Sequence, residues 1–322
     1  MAAHGAVFLL ANLIFSTVHL QAYGFTSIAS DATVAIKNPL VTKCFAHPVK
    51  IYAFPDTDTS AGLDSTTFER YEGNLPLDFE VTDIGFQIGS KGQVLCMSSG
   101  KGCGSGQNPR TGAFVVTVEA STETQEIIAI ANPDLDLKPI GQISYTISQG
   151  ETADLGVQYD YPSDIVWTHN GYSRKKWRGE LHITVSEAGI YEAFSKKWRH
   201  EGRVTFRVIK RACPDGAFGA TCDQKCPPSC TAGRGVCDDE DGTCYCAPGL
   251  TTVTEDCDTV AAGFGIDGSH LCEANGLAYP GCRGILFCLR DPYGCSCFHG
   301  IGGVDCNIRC PTGMYGPNCD LS

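Results

Sequence analysis

The cysteines of this 322-residue chain are the residues with the clearest chemistry. Sixteen of the nineteen lie between Cys213 and Cys319, and the other three are Cys44, Cys96 and Cys103. Thiols at this density either oxidise to disulfides or ligate zinc. The dense region lacks repeated C-x2-C pairs, and it has too few large apolar residues to bury a core with reduced thiols. We therefore expect a disulfide scaffold formed in the secretory pathway, with no metal ion and no cofactor.

The cysteine spacing indicates EGF-like modules. From Cys226 it reads C-x3-C-x6-C-x6-C-x-C-x10-C, with Pro-Gly after the C-x-C pair, and the ending C-x6-C-x-C-x8-C recurs from Cys288. Spacing alone leaves 105 pairings for eight cysteines. The usual EGF pattern would join Cys226 to Cys237, Cys230 to Cys244 and Cys246 to Cys257. The segment RACPDGAFGATC lacks the acidic signature of a calcium-binding module, so no calcium is expected.

The N-terminus predicts export. Residues 6–15, AVFLLANLIF, form an apolar run too short to span a bilayer, and small residues follow near Ala22 and Gly24. We expect a signal peptide at 1–24; the alternative is a buried N-terminal strand. No later segment has 18 consecutive apolar residues. The mature chain is therefore expected to be secreted or extracellular, without a membrane anchor.

The region before the dense cysteines has the pattern of β-sandwiches. Short alternating or β-branched runs recur between turn signals: AFVVTVEAS, EIIAIA, QISYTIS, DIVWTHNG, GELHITV and RVTFRVIK. We predict a mainly β fold, with two immunoglobulin-like sandwiches followed by disulfide-rich EGF-like modules. The expected ranges are 25–120 and 121–211 for the two sandwiches, 212–257 for the first EGF-like module, and 258–322 for a second that includes the start of a further module.

The second sandwich has two sequence signatures of an immunoglobulin domain but lacks the third, the disulfide between its sheets. Trp167 in IVWTHNG occupies the place of the core tryptophan, and Tyr191 in SEAGIYEAF matches a tyrosine corner. The usual bridge between the sheets is missing, since Ala193 occupies one cysteine position and Leu155 or Val157 the other. We expect apolar packing alone to hold this sandwich together.

The first sandwich is expected to carry a bridge between Cys44 and Cys96, which are 52 residues apart. Its strand F would end at QVLC and its strand G would be AFVVTVE. Cys103 is then unpaired and could join another chain; in the alternative, Cys103 takes the bridge and Cys96 is free. The glycine-rich stretch 98–112 fails the phosphate-loop motif and is predicted to be a hairpin loop.

The segment GCRGILFCLRDPYGCSCFHGIGGVDCNIRCPTGMYGPNCDL resembles the EGF-like region of the angiopoietin-receptor (Tie) tyrosine kinases. The domain order is similar too: one bridged immunoglobulin domain, one without a bridge, then EGF modules. This sequence does not include the third EGF module, the fibronectin repeats, the membrane helix or the kinase of that family, so no kinase activity is expected of this polypeptide. The resemblance implies five further pairs: Cys213–Cys222, Cys272–Cys282, Cys288–Cys295, Cys297–Cys306 and Cys310–Cys319.

A basic segment in the second sandwich is the candidate binding surface. Residues 169–211 hold eleven Lys or Arg and four Glu, although the chain has a net charge of −12. The quartet KKWR occurs there twice, and Trp beside Lys and Arg is a good contact surface when exposed. The alternative is a solvated basic face without a partner. The candidate residues are Tyr172, Lys175, Lys176, Trp177, Arg178, Lys196, Lys197, Trp198 and Arg199.

The sequence narrows the function to extracellular binding. The negative net charge argues against nucleic acid, and no hydrolase or metalloprotease motif is present, so no catalytic residue is expected. The family resemblance implies that the second sandwich binds a protein ligand, such as a fibrinogen-like angiopoietin; a sulfated glycosaminoglycan fits the charges as well. The alternative function is a secreted matrix or adhesion protein with EGF-like spacer modules.

Overall fold

A computed structural model describes most of the chain after residue 31. The described residues are 32–37, 39–41, 49–55, 65–71, 79–85, 91–97, 111–120, 123–133, 136–197, 203–231, 234–251, 257–273, 277, 280–315 and 318–319. The expected signal peptide lies outside them. The structure is almost all sheet, with the short helix α1 (Pro228–Thr231) and 3₁₀ turns at Pro162–Asp164, Lys175–Trp177 and Pro280–Cys282. No helix in the described ranges has the length and hydropathy of a membrane span.

Two facing sheets form the first sandwich. One contains β1, β3, β6 and β5 in that order, and the other contains β2, β8, β7 and β4. The side chains of β7 alternate between the two faces of its sheet, so that one face packs into the sandwich core. Phe114, Val116 and Val118 are buried, while Glu119 is exposed. The strands are β1 (Ala32–Lys37), β2 (Leu40–Val41), β3 (Val49–Pro55), β4 (Ser65–Arg70), β5 (Phe79–Gly85), β6 (Lys91–Met97), β7 (Gly112–Ala120) and β8 (Glu123–Pro133).

The assignment of strands F and G in this sandwich is wrong. QVLC lies in β6, which pairs with β3 and β5, whereas AFVVTVE lies in β7 in the other sheet. In that sheet β7 pairs with β4 and with β8, and β8 follows it closely in a hairpin with Ala120 opposite Glu123. AFVVTVE and EIIAIA are therefore the last two strands of one sandwich. The boundary expected between residues 120 and 121 falls inside this hairpin.

The structure does not describe how the cysteines of the first sandwich pair. Cys44 and Cys103 lie outside the described residues. Cys96 lies on β6 opposite Lys50 and Glu80, but its side chain is not described. The Cys44–Cys96 bridge and its alternative with Cys103 therefore stay predictions.

The second sandwich has the predicted immunoglobulin-like arrangement. One sheet has the order β10-β16-β15-β12-β13, and the other has the order β14-β11-β9. Trp167 is fully buried and stacks on Phe206 at 5.8 Å, while Leu155 and Ala193 are fully buried where the usual bridge would be. Its strands are β9 (Lys138–Ile140), β10 (Ser144–Ile147), β11 (Ala153–Gln158), β12 (Ile165–His169), β13 (Tyr172–Ser173), β14 (His182–Val185), β15 (Gly189–Ser195) and β16 (Val204–Lys210).

The tyrosine corner predicted at Tyr191 is present. Its hydroxyl donates to the carbonyl oxygen of Glu187 at 2.8 Å, and its ring stacks on His169. Burial of the hydroxyl, with Glu187 nearby, raises the pKa of Tyr191 to about 12.

We expect Tyr191→Phe to destabilise the second sandwich by about 1 kcal/mol, because one buried hydrogen bond is lost and the ring is kept. Urea unfolding followed by tryptophan fluorescence measures this. Tyr161→Phe is the matched control, since Tyr161 is 61% exposed. Equal effects of the two substitutions would contradict the corner as a stabilising contact.

The cysteine-rich part is held by eight disulfides, which join the same pairs that the EGF pattern and the family resemblance imply. They are Cys213–Cys222, Cys226–Cys237, Cys230–Cys244, Cys246–Cys257, Cys272–Cys282, Cys288–Cys295, Cys297–Cys306 and Cys310–Cys319. The sulfurs of Cys244, Cys246 and Cys257 lie within 4.8 Å of one another, but each already forms a disulfide and offers no thiolate to a metal.

Very short strands accompany these disulfides. In the first EGF-like module, β19 pairs with β20, and in the second, β23 pairs with β24. The strands are β17 (Ala217–Phe218), β18 (Gln224–Lys225), β19 (Gly235–Cys237), β20 (Cys244–Cys246), β21 (Leu250–Thr251), β22 (Thr259–Val260), β23 (Ile285–Cys288), β24 (Cys295–Cys297), β25 (Ile301–Gly302) and β26 (Ile308–Arg309).

The second EGF-like module folds back onto the first sandwich. Strand β23 pairs antiparallel with β1, with Val34 opposite Cys288, so that one sheet runs β24-β23-β1-β3-β6-β5. Phe264 packs against Phe54 of the sandwich and Phe287 of the module, each at 5.0 Å between ring centroids. The module therefore covers the β1 edge, which would otherwise expose unpaired backbone groups.

The same module also docks on the second sandwich. Arg207 on β16 forms an ion pair with Asp291 at 2.7 Å, and its guanidinium is largely buried. The Ser144 hydroxyl accepts a hydrogen bond from the backbone N–H of Cys295 at 3.1 Å, and the Thr146 hydroxyl donates to the carbonyl of Pro292. Two sandwiches and one EGF-like module thus share a continuous apolar core.

Candidate ligand-binding surface

The Asn170-Gly171 turn and strand β12 position the first KKWR quartet. Asn170 and Gly171 both have positive φ, which suits a tight hairpin turn between β12 and β13. After β13 the chain runs back beside β12, because the N–H groups of Arg174 and Gly179 donate to the carbonyls of Trp167 and Ile165. The quartet lies between these two bonds, and its first three residues form a 3₁₀ turn.

The second quartet follows β15 on the other side of β12. Ser195 lies opposite Ile165, and the N–H of Lys196 donates to the carbonyl of Asp164 at 2.8 Å. Lys196 and Lys197 begin the connection between β15 and β16, as expected. Trp198 and Arg199 lie outside the described residues. The first quartet and the described part of the second, Lys196 and Lys197, therefore lie on either side of the start of β12.

The cations of the quartets face solvent, but Trp177 does not. Lys175, Lys176, Arg178, Lys196 and Lys197 are exposed; we call these five residues the basic patch. Trp177 is half-buried, with its ring 5.8 Å from that of Tyr191 and the ammonium of Lys176 4.6 Å above it. The expectation of an exposed Trp177 is thus wrong, because its ring completes the packing beside the tyrosine corner.

Tyrosines lie near both ends of the patch. Tyr172, a predicted site residue, is 76% exposed on β13. Tyr161, which the sequence analysis missed, is 61% exposed just before the 3₁₀ turn that leads into β12. Its neighbour Tyr159 donates to the Ser195 hydroxyl at 3.0 Å, which places this segment beside Lys196. The only sequence signal for Tyr161 was its place directly before Pro162, which begins the 3₁₀ turn. Exposed tyrosines beside cations are typical of protein-binding surfaces.

Other cations of the basic segment hold the fold together. Arg203 pairs with Glu192 at 2.6 Å, Arg207 with Asp291, and Arg211 with Asp239 at 2.9 Å. Burial lowers the pKa of Arg207, and the adjacent Asp291 opposes that shift. Two of these carboxylates come from the EGF-like modules, so sequence proximity could not reveal them. The positive charge of residues 169–211 is therefore divided among an ion pair within the second sandwich, the docking of the EGF-like modules and the basic patch.

The chain matches no family model. It is 35% identical over 167 residues to the angiopoietin-1 receptor of Danio rerio, a match that covers 47% of this chain and 14% of the receptor. The chain resembles a Tie-type receptor ectodomain. Because it spans only this small share of that receptor, the resemblance transfers no activity or partner by itself.

Comparison with solved structures gives matches to immunoglobulin-domain proteins at low TM-scores. The N-terminal four immunoglobulin domains of Dscam1 isoform 4.44 align with a TM-score of 0.19 and 12% identity, over 45% of this chain and 37% of that one. The N-terminal eight immunoglobulin domains of DSCAM isoform 1.30.30 align with a TM-score of 0.23 and 15% identity, over 51% and 22%. The disulfides and the receptor likeness fit an extracellular location.

Proposed function

We propose that this chain is a ligand-binding receptor ectodomain whose second sandwich binds an acidic face of an extracellular protein through the basic patch. The observation that carries the proposal is that the first KKWR quartet and the described residues of the second, Lys196 and Lys197, lie on either side of β12. Five exposed cations on one side of a chain with net charge −12 attract an acidic partner and raise its association rate. The receptor likeness supports a protein ligand, and a fibrinogen-like domain of the angiopoietin type is the first to test.

A sulfated glycosaminoglycan is the second candidate. Lys175, Lys176, Lys196 and Lys197 are exposed lysines, which bind sulfates as mobile point charges without needing a shaped pocket. Such binding would depend steeply on salt, since it rests on exposed charges.

The spacer function has less structural support. Stiff spacers separate other domains by standing in a row. Here β23 pairs with β1 and Asp291 pairs with Arg207, so the second EGF-like module returns to both sandwiches. We call this arrangement of two sandwiches and the second EGF-like module the compact head. Its compact arrangement suits a binding domain better than an extended spacer.

Charge reversal tests the proposal. We expect Lys175, Lys176, Lys196 and Lys197, all changed to Glu, to weaken binding of an angiopoietin fibrinogen-like domain by about 100-fold or more, since an acidic face of the ligand would then meet four like charges. Surface plasmon resonance on the full chain measures this. The control changes Lys210, Lys225 and Arg309 to Glu; all three are exposed and outside the patch.

The same variants on a heparin column distinguish the two candidates. Retention lost on heparin, with fibrinogen-like binding kept, favours the glycosaminoglycan. If neither binding changes, or if the control variant loses as much as the patch variant, the basic patch is not the binding surface.

A further inference from the structure

A cavity of about 330 Å³ lies at the junction of three modules. One wall comes from residues 141–146 of the second sandwich, another from residues 234–247 of the first EGF-like module, and a third from residues 286–304 of the second, with Tyr315 at one side. Small-molecule sites usually measure about 300–1,000 Å³ and often lie between domains. The cavity is separate from the basic patch, and nothing in the proposed function uses it.

The described lining of this cavity carries a positive charge and no negative one. Arg234 lines it, its guanidinium lies 6.0 Å from the ring centroid of Tyr315, and none of the described lining residues is Asp or Glu. None of the described carboxylates forms an ion pair with Arg234. Arg203, Arg207 and Arg211 each have such a partner. A guanidinium presents a planar fork of donors that matches the oxygens of a carboxylate or sulfate.

A second polar group in the cavity has an unmet hydrogen bond. The Nδ1 atom of His299 is buried and has no hydrogen-bond partner among the described residues, although buried polar atoms nearly always have one. Burial, and then the charge of Arg234, lower the pKa of His299, so its ring is neutral at pH 7 and can both donate and accept. By contrast, the Tyr293 and Ser296 hydroxyls in the same wall satisfy each other at 2.6 Å.

The remaining walls suit an aromatic body. The ring of His299 lies 5.1 Å from that of Tyr315, and Phe298 and Leu286 add apolar surface. Offset ring stacking and apolar contact would hold a flat ring there, with its charged group toward Arg234.

We propose that the junction cavity is a binding site for a small aromatic anion, whose negative group pairs with Arg234 and whose ring packs against Tyr315. The neutral His299 supplies a further hydrogen bond. Since the ligand would touch three modules at once, its binding stabilises their docking as well as filling the cavity.

Calorimetric titration of the full oxidised chain with p-cresyl sulfate tests the site, with 4-methylanisole as the uncharged counterpart. We expect binding of the sulfate alone. Arg234→Gln should weaken it at least about tenfold, the loss of one charged pair, whereas Arg309→Gln, on an exposed strand outside the cavity, should leave it unchanged. Val304→Phe, which fills the cavity from its wall, should also abolish binding while the thermal unfolding midpoint is kept.

An aromatic anion can arrive free or as a sulfated tyrosine of a partner protein. N-acetyl-sulfotyrosine amide carries the same ring and charge with added backbone atoms. Binding as tight as that of p-cresyl sulfate assigns the cavity to a partner's side chain, and binding of p-cresyl sulfate alone assigns it to a free small molecule. No binding of either sulfate, or binding that Arg234→Gln leaves intact, overturns the proposal.

Discussion

Reduction of the disulfides unfolds the cysteine-rich part and leaves the second sandwich folded. This is the expected result because the eight disulfides lie between Cys213 and Cys319, whereas residues 138–210 contain no cysteine. Loss of native disulfides from small disulfide-rich modules costs about 2–5 kcal/mol each and often abolishes folding. The second sandwich keeps its own core around Trp167 and Phe206.

Tryptophan fluorescence separates the two events, since all three tryptophans of the chain lie in the second sandwich or its β15–β16 connection. In a variant with Trp177→Phe and Trp198→Phe, only the buried Trp167 emits. We expect blue-shifted emission to persist after reduction, with a cooperative urea transition at a lower midpoint, because the pairs Arg207–Asp291 and Arg211–Asp239 lose their anchors. If reduction alone shifted the emission of Trp167 to the wavelength of a solvent-exposed tryptophan, the second sandwich would not be stably folded without the EGF-like modules.

Local patterns in the sequence predicted much of the fold. The cysteine spacing and the family resemblance give the eight pairs seen in the structure, since each joins residues 7 to 14 apart and depends on a short loop. Each of the six apolar runs named from the sequence contains a strand or most of one. Trp167 and Tyr191 occupy the predicted core and corner positions. Both positions could be predicted because their sequence patterns involve only neighbours within a few residues.

The sequence could not predict the contacts between segments that lie far apart along the chain. Nothing in ATVAIK says that β1 pairs with β23, whose residues lie about 250 positions later along the chain. One signal was available: Ile285, Leu286 and Phe287 form a continuous apolar run inside a disulfide module, and all three are buried. Alternation would be expected of a strand with one solvated face. Likewise, only the folded chain shows which arginines have carboxylate partners and which cations lie exposed beside β12.

Gly294 is the position at which a single methyl group should undock the second EGF-like module. Its φ is +78°, and a Cβ added there would overlap the Ser144 hydroxyl and lie 2.8 Å from Cδ1 of Ile209. The strained backbone costs Ala about 1 kcal/mol, and the forced shift at a packed interface adds about 1–3 kcal/mol. We therefore expect Gly294→Ala to lower the free energy of unfolding by about 2–4 kcal/mol. Hydrogen exchange should also lose protection at the β1 and β23 amides.

Gly300 supplies the matched control for that substitution. Its φ is +75°, but nothing lies within 4 Å of the Cβ it would gain, so Gly300→Ala carries the backbone strain without the clash. Ser144→Ala removes the overlapping hydroxyl and should restore part of the stability of Gly294→Ala, a coupling that a double-mutant cycle measures. Equal losses for Gly294→Ala and Gly300→Ala, with no rescue, would show that docking tolerates the methyl group. The contact between β16, Ser144 and the module would then be too loose to hold the compact head together.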